Sequence, residues 1–398
     1  MGCGASKWSD PGVVRQRGLS SVGEVVVFLP GLRVPRTIDL SQQLGDDDLN
    51  KSAVERLTAL RARVVAMATQ ESSAALKPRR RAAARHGGSS TANLLQSLEE
   101  YLPALLGLAE EGSEMRNKVQ FVWANQEDVT EANTLLLPRS YGDGHGPRVS
   151  EESRQATVDL FLKAAGYLDC AVHHVLIHIP PERRRELPVD LAQGNLKALS
   201  LQGLGQGVDM QLGLAIENPK ATLAVKRRLA CEMIKCWKQV KDSIPELPLS
   251  AGWGRKHALF VKWKYVEAKA AAYYFHGLIL DEGETEKSQE TAMAALQSSE
   301  EFINESKRAS KAFHTAPPTS RSPSAFGTTK YLLDMIPKDA KSKFQSYQDL
   351  NTQKGALNIG VSKITATPPP LPDFPFALNP EDYELPHSDP LQKGANHG

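Results

Sequence analysis

Gly2 and Cys3 are the residues whose type and position most directly predict a chemical modification. Removal of Met1 would leave Gly2 at the N-terminus, with Ser6 where the N-myristoylation pattern has serine or threonine. Cys3 is placed to accept a second, reversible acyl chain. One myristoyl chain binds membranes only marginally, with a constant of about 10⁴ M⁻¹, whereas two signals anchor a protein stably. The sequence therefore predicts a lipidated segment over residues 1–20, the alternative being an ordinary frayed N-terminus.

Three histidines lie close together in one helical stretch, at positions 173, 174 and 178. The four-residue spacing between His174 and His178 could hold a metal ion. No glutamate lies between them in the zinc-protease arrangement, and no third ligand is evident. A structural or surface role is therefore favoured over a metal hydrolase, and we predict no metal site.

Neither the glycines nor the cysteines complete a chemical motif. Gly203, Gly205 and Gly207 imitate part of a phosphate-binding loop, but they follow a helix-like segment, and no Lys-Ser/Thr pair follows them. They are interpreted as permitting close helix approach. The remaining cysteines lack the Cys-x-x-Cys spacing and are interpreted as small buried side chains, at Cys170, Cys231 and Cys236. We therefore predict no catalytic residues, no cofactor and no enzyme activity.

Length and composition predict a folded protein. The chain has 398 residues, 41% of them hydrophobic, so a sizeable core can be buried. A formal net charge of +2 gives no indication of nucleic-acid binding, and no nucleic-acid partner is predicted. No run approaches about 18 continuous apolar residues, and the N-terminus has no apolar signal region. Neither a transmembrane helix nor a secretory signal is therefore predicted.

The stretch from Pro188 to Ile244 is predicted to organise the molecule as two long helices. The first has apolar residues at every third or fourth position: Leu201, Leu204, Val208, Leu212 and Ala215. The second repeats this spacing: Val225, Leu229, Met233, Trp237, Val240 and Ile244. Each set therefore lies on one face of a helix. Pro219 cannot extend the first helix, so a tight corner is expected there.

The remaining pattern predicts further helices of unequal length around a short strand pair. Glu24 to Leu40 predicts a β-hairpin turning at Pro30-Gly31. The stretch from Lys256 to Leu280 predicts a helix that is buried on most sides. The stretch from Ser288 to Ala312 predicts a further helix, and the stretch from Lys330 to Ile336 predicts only a short apolar segment. No fixed repeat period is visible, which favours a mainly α, irregular helical solenoid over a regular tetratricopeptide array.

Two segments interrupt the helical pattern. Residues 77–91, with Lys-Pro-Arg-Arg-Arg, predict a mobile basic loop, which either attracts anionic lipid or is merely solvated. Residues 366–390 are rich in proline, and they are either a polyproline ligand or a strap over the domain. The aromatic residues of this segment favour the strap. The predicted layout is one helical domain over residues 21–390, followed by a tail at 391–398.

Four stretches together resemble a known family. They are Leu162-Lys163-Ala164-Ala165-Gly166-Tyr167, Arg228-Leu229-Ala230-Cys231, Trp263-Lys264-Tyr265-Val266-Glu267-Ala268-Lys269-Ala270 followed by Tyr273-Tyr274, and Leu371-Pro372-Asp373-Phe374. In these four stretches the chain resembles the Bro domain. The likeness is greatest to the short Brox-like endosomal targeting proteins of plants. The resemblance implies an elongated, banana-shaped solenoid with a tetratricopeptide-like core.

The resemblance also implies a partner and a binding surface. Bro domains bind the C-terminal amphipathic helix of ESCRT-III subunits of the charged multivesicular body protein four class. By position, Val225 and Leu229 match two aliphatic contacts of that site on the second helix of the pair. Met210 or Leu212 falls where the family has an aromatic contact on the first helix, and Glu151 matches an acidic position on the preceding helix.

The predicted function is that of a membrane-anchored adaptor in endosomal or multivesicular body sorting or membrane remodelling. The protein is expected to be peripheral, held by acyl chains on the cytoplasmic face of an endosomal or plasma membrane. The alternative is a general helical scaffold that binds another helix or a proline-rich ligand.

Overall fold

Long α-helices make up most of the chain. The computed structural model describes residues 26–28, 33–40, 51–76, 87–109, 123–125, 135–136, 151–187, 191–244, 253–283, 285–317, 327–353, 368–376, 378–383 and 387. In chain order the α-helices are α1 (Lys51–Leu76), α2 (Gly87–Ala109), α3 (Glu151–Cys170), α4 (Pro181–Arg185), α5 (Gln193–Glu217), α6 (Leu223–Ser243), α7 (Trp253–Asp281), α8 (Glu286–Thr315) and α9 (Gly327–Gln353). Each long helix from α3 onward packs against its neighbour along the chain, which confirms the predicted elongated helical solenoid.

The predicted helix pair is present as α5 and α6, joined by a corner of five residues. Asn218 ends α5, and its side-chain Oδ1 accepts a hydrogen bond of 2.9 Å from the Lys220 N–H. Thr222 begins α6, where its hydroxyl oxygen accepts a bond of 3.3 Å from the Val225 N–H. Such local bonds satisfy backbone groups that a helix end leaves unpaired, and they fix the angle of the corner.

The main core lies between α5, α6, α7 and α8. Its aromatic centre is formed by Phe28, Phe260 and Phe313, whose ring centroids lie 5.2–5.6 Å apart. Trp237 of α6 meets Phe260 edge-on at 5.8 Å. The helix α7 is buried on most sides, as predicted, because α6 and α8 cover opposite sides of it. At Gly277 a Cβ atom would lie only 2.8 Å from Leu296 Cγ, so glycine permits this close approach of α7 and α8.

Of the three glycines of the helix pair, Gly205 has the role that the sequence predicts, because a Cβ atom there would lie 3.0 Å from the Trp237 ring. Gly203 and Gly207 lie against α3, where a Cβ atom would meet nothing nearer than 3.5 Å, so close approach does not require glycine at these two positions. As predicted, Cys170, Cys231 and Cys236 are free and buried. Burial raises the pKa of the Cys231 thiol to about 11 and that of the Cys236 thiol to about 12, so both stay protonated and unreactive.

The predicted β-hairpin is wrong in its pairing. The strands β1 (Val26–Val27) and β2 (Arg33–Pro35) do not pair with each other in the part of the chain that the structure describes. Instead β1 pairs antiparallel with β4 (Leu135–Leu136), and β2 pairs antiparallel with β3 (Trp123–Asn125). The Pro-Gly pair at positions 30 and 31 lies between two strands that have different partners. Each partner strand is about 100 residues further along the chain.

Two helices extend further than the sequence predicts. The short apolar segment at 330–336 is part of the 27-residue helix α9, which contains Pro337. The helix α2 begins at Gly87, so residues 87–91 of the predicted basic loop are helical, while residues 77–86 lie outside the described chain. In α1, Val54, Leu57 and Val64 are buried against α2, as their spacing predicts.

Within the described residues, one helical stretch, Gln155–His178, is long and apolar enough to cross a membrane by length and composition. Core helices of folded proteins meet the same criterion, and in this stretch Val158, Ala165 and Val172 are buried. The hydroxyl of Ser200 on α5 donates a hydrogen bond of 3.0 Å to the Ala165 carbonyl. This stretch therefore packs as part of the solenoid.

Candidate partner-helix surface

Four residues of α6 form one stripe along the helix: Val225, Leu229, Glu232 and Cys236. Their spacing of four, three and four residues puts them on a single face. Val225 is 47% exposed, and Leu229 is half-buried against the main core. Glu232 and Cys236 are buried, at 1% and 0% exposure. The stripe is therefore open over its first turn and a half and covered beyond it.

The structure places the two predicted α5 contacts inside the protein. Leu212 is fully buried in the main core, and Met210 is 4% exposed and packs against Val158 of α3. Neither side chain can contact a docked helix as the chain stands, so the prediction that one of them lines an open surface needs correction. The reason is that α5 lies between α3, α6 and α9, which leaves it no broad exposed face.

The acidic position on the preceding helix is only partly described. Glu151 is the first residue of α3, and its side chain lies outside the described part of the chain. One turn later, Gln155 is exposed, and its side-chain amide donates to Asp159 Oδ1 at 3.4 Å. Any partner contact at Glu151 therefore stays a prediction.

A C-terminal strap covers the second half of the α6 stripe. The strap is defined here as residues 368–376 and 378–383, an extended segment that crosses α6 and then runs over α5 and α3. Phe376 packs against Cys236, with Ala165 and Leu204 beside it. The backbone N–H of Leu378 donates a hydrogen bond of 2.8 Å to Glu232 Oε1, and the Leu378 side chain packs against Met210.

The strap is attached to helices near its middle and at its C-terminal end. Near its middle the Lys235 ammonium contacts the Asp373 carboxylate and donates to the Phe374 carbonyl, and this contact holds the pKa of Asp373 below its usual range. At the C-terminal end the ring centroids of Tyr383 and Tyr167 lie 3.7 Å apart, and their hydroxyls are hydrogen-bonded.

Two arginines of α6 lie near the strap, and one of them borders the stripe. The guanidinium carbons of Arg227 and Arg228 each lie 5.9 Å from the centroid of the Phe374 ring. Arg227 also donates to His276 Nδ1 at 3.1 Å. Burial, together with this guanidinium, lowers the pKa of His276. At about 100° per residue, Arg228 borders the stripe, whereas Arg227 lies on the opposite side of α6 from Val225 and Leu229. A helix that docks along the stripe therefore meets the positive charge of Arg228 on one side, which favours an acidic residue next to its apolar anchors.

Below the surface, a buried ionic network joins α5 to three other helices. Lys264 Nζ of α7 lies 2.7 Å from Asp209 Oδ2 and 2.6 Å from Glu267 Oε1, and all three side chains are at most 2% exposed. Glu267 also accepts hydrogen bonds from Trp263, from Ser306 of α8 and from Thr329 of α9. Burial alone would lower the pKa of Lys264, but attraction by Asp209 and Glu267 raises it overall.

The predicted histidine cluster lies on the surface. His173, His174 and His178 are exposed, in a turn of π-helix and 3₁₀-helix that follows α3. His173 Nδ1 lies 3.1 Å from the Asp169 carboxylate. Among the residues that the structure describes, no three His, Cys, Asp or Glu side chains are grouped so that they could hold a metal ion.

Sequence reasoning missed the contact of the strap with the α6 stripe. The aromatic residues of the proline-rich segment indicated that it packs on the domain, but they did not indicate where. The residue that could have located its contact with α3 is Gly166. A Cβ atom there would lie 2.5 Å from the Glu381 carbonyl oxygen, so only glycine lets the strap backbone rest on α3.

Side-by-side helices with a covering strap define the fold class of the protein as a helical solenoid. Comparison with solved structures identifies the particular fold. Over 87% of its length, the chain superposes on a structure described as an ALIX BRO1–CHMP4C complex, with a TM-score of 0.53, 15% identity and 96% of that chain covered. It also superposes on ALIX in complex with the SIVmac239 PYKEVTEDL late domain, with a TM-score of 0.56 and 14% identity.

The chain has the fold of the Bro domain, as the sequence resemblance predicts. It covers 50% of the longer ALIX chain, so it spans half the length of that protein. No protein-family model and no curated protein matches the sequence. The expected closeness to the short plant Brox-like proteins stays a prediction.

Proposed function

We propose that this chain is an adaptor that binds the C-terminal amphipathic helix of an ESCRT-III subunit of the CHMP4 class. The observation that carries the proposal is the open part of the α6 stripe, where Val225 is exposed beside the half-buried Leu229. The Bro-domain fold supports it, because an ALIX structure with this fold is a complex with CHMP4C. An amphipathic helix would place its apolar residues on Val225 and Leu229 and an acidic residue towards Arg228.

A binding measurement tests this proposal directly. Fluorescence anisotropy of labelled C-terminal peptides from the ESCRT-III subunits, titrated with the full-length chain, should show saturable binding by the CHMP4-class peptide. A peptide of the same composition in scrambled order is the control, because it keeps the charge and loses the apolar face. Equal binding of both peptides would contradict the proposal. Preferential binding of a different helix or of a proline-rich peptide would favour the general scaffold instead.

We further propose that acyl chains at Gly2 and Cys3 hold the adaptor on the cytoplasmic face of an endosomal or plasma membrane. Both residues lie outside the described chain, and the proposal rests on the sequence. Restriction to a surface raises the effective concentration of the site towards a filament that grows there, so a weak site suffices. An adaptor held in this way would act in endosomal sorting or membrane remodelling without any catalytic step of its own.

The substitution Gly2→Ala is expected to move most of the protein from the membrane fraction to the supernatant. Myristoylation requires an N-terminal glycine, and a single remaining acyl chain binds membranes only marginally. Cell fractionation followed by immunoblotting measures the distribution. The matched control is Gly4→Ala, which keeps Gly2, Cys3 and Ser6. Equal membrane fractions for the two variants would show that another determinant holds the protein on the membrane.

A further inference from the structure

The covered half of the α6 stripe has the character of a binding surface whose occupant is the strap itself. Leu378 packs against Met210 and Val158, and Phe376 packs against Cys236, Ala165 and Leu204. Both strap side chains remain half-buried, so each uses this apolar surface without becoming part of the closed core. Leucine and phenylalanine are also residues that an amphipathic helix uses as anchors.

The open and covered halves belong to one continuous face. Val225 and Leu229 are open, and Glu232 and Cys236 continue the same face for two further turns. A partner helix of two turns would find all its contacts on the open half. A helix of three or more turns that follows α6 would reach the positions of Leu378 and Phe376, and both segments cannot occupy the same space.

The strap is fastened at separate points rather than along its length. One point is Lys235, which contacts Asp373 and the Phe374 carbonyl. The next is the hydrogen bond from Leu378 to Glu232, and the last is the pair Tyr167–Tyr383. A segment held by isolated contacts opens locally at a lower free energy than a helix of the core does. The part beyond Lys235 can therefore leave α5 and α3 while the Asp373 contact remains.

We infer that the strap is an intramolecular competitor for the partner, and that the surface under Phe376 and Leu378 is the second half of the partner site. This inference rests on the proposed function and adds a length requirement to it. A long amphipathic helix displaces residue 376 and residues 378–383 and gains their contacts, whereas a short helix binds beside the strap. The long helix binds only when the strap is open. Its apparent affinity is therefore its intrinsic affinity multiplied by the fraction of molecules in which the strap is open.

Two strap-weakening variants test the inference. In Gly166→Ala the new Cβ atom would lie 2.5 Å from the Glu381 carbonyl oxygen, so the strap must lift, while the α6 stripe is unchanged. The matched control is Gly203→Ala, where a Cβ atom would meet nothing nearer than 3.5 Å. The second variant, Phe376→Ser with Leu378→Ser, removes the anchors of the strap. The probes are a CHMP4-class peptide of three turns and its two-turn truncation, titrated by anisotropy against the full-length chain.

Both strap variants are expected to bind the three-turn peptide about 10-fold more tightly than wild type, a gain of roughly 1.4 kcal/mol. Their affinity for the two-turn peptide should stay within about two-fold of the wild-type value. The control Gly203→Ala should bind both peptides within about two-fold of wild type. Unchanged or weaker binding of the long peptide would overturn the inference. If a charge placed in the open part of the stripe by Leu229→Asp strongly weakens binding in that case, the proposed function stands and only the competition is wrong.

Hydrogen exchange on the wild-type chain provides a second test that needs no variant. The three-turn peptide is expected to speed exchange of the backbone amides in residues 378–383, including the Leu378 N–H that is now bonded to Glu232. Slower exchange there would show that the strap closes over the partner, which contradicts displacement. Binding of neither peptide by any variant would overturn the proposed function and this inference together.

Discussion

Methionine in place of Lys264 is expected to destabilise the folded chain by about 3–5 kcal/mol, the range for removing one partner from a buried ion pair. Lys264 Nζ lies within 2.7 Å of both Asp209 and Glu267, and burial leaves water no access to either carboxylate. Without the ammonium, the two negative charges would face each other unpaired. Urea unfolding followed by circular dichroism measures the change in the free energy of unfolding.

Two controls separate the charge from the shape of the side chain. Lys262→Met removes an exposed ammonium that lies 3.7 Å from Glu305, and we expect a change below about 0.5 kcal/mol. The triple variant Lys264→Met, Asp209→Asn, Glu267→Gln removes all three charges and should recover most of the loss. A loss below about 1 kcal/mol in Lys264→Met alone would show that the network contributes little.

The loss in Lys264→Met should also shrink as the pH is lowered. Burial raises the pKa of the Asp209 carboxyl, repulsion by Glu267 acts in the same direction, and Lys264 opposes both. Removing Lys264 leaves these two raising effects opposed only by a hydrogen bond with Thr328, which lowers the pKa of Asp209. The unfolded state then takes up protons at lower pH than the folded variant does, so stability of the variant relative to wild type rises as the pH falls.

This network bears on function because it fixes α5 in the middle of the solenoid. Asp209 belongs to α5, Lys264 and Glu267 to α7, Ser306 to α8 and Thr329 to α9. The helix α6, which carries the exposed stripe, follows α5 through a corner held by its own hydrogen bonds. A fixed α5 therefore sets the direction in which Val225 points.

The helices with one apolar face were predictable from sequence because their periodicity is local. Pro219 and the change of helical face were sufficient to predict the α5–α6 corner. The structure has the corner at the predicted position. The strand pairs were not predictable, because each joins segments about 100 residues apart and each strand has only two or three residues. The helix α9 was underestimated because its buried residues form a narrow stripe, Leu332, Ile336 and Ala340, in a polar sequence that contains Pro337.

The candidate surface was predictable on α6 but not on α5. On α6 the spacing places Val225 and Trp237 in one apolar set, and only position in the family singled out Val225, which is exposed, from Trp237, which is buried. On α5 most residues from Asn195 to Ile216 are buried, including polar ones such as Gln202 and Asp209, so spacing cannot indicate which side meets a partner. Met210 and Leu212 were assigned by position in the family, and position alone did not reveal that neighbouring helices and the strap cover them.

Aspartate in place of Leu229 is expected to weaken binding of the CHMP4-class helix by at least about 100-fold. Burying a leucine side chain contributes about 1.5–3 kcal/mol, and a carboxylate in the same contact would lose its water without gaining a partner. Val225→Asp should weaken binding by about 10-fold, because Val225 is 47% exposed in the free protein but has a smaller apolar side chain than leucine to bury on docking. Anisotropy with the labelled peptide gives both dissociation constants.

The control for both variants is Leu98→Asp, which introduces the same charge at a leucine that is 43% exposed on α2, away from the stripe. Its affinity for the peptide should match that of wild type. Leu229 is half-buried against the core, so part of the effect of Leu229→Asp could come from lost stability. The more exposed Val225 removes this ambiguity, because its replacement disturbs little of the core. If both variants bind the helix as tightly as Leu98→Asp does, the open stripe of α6 is not the partner site.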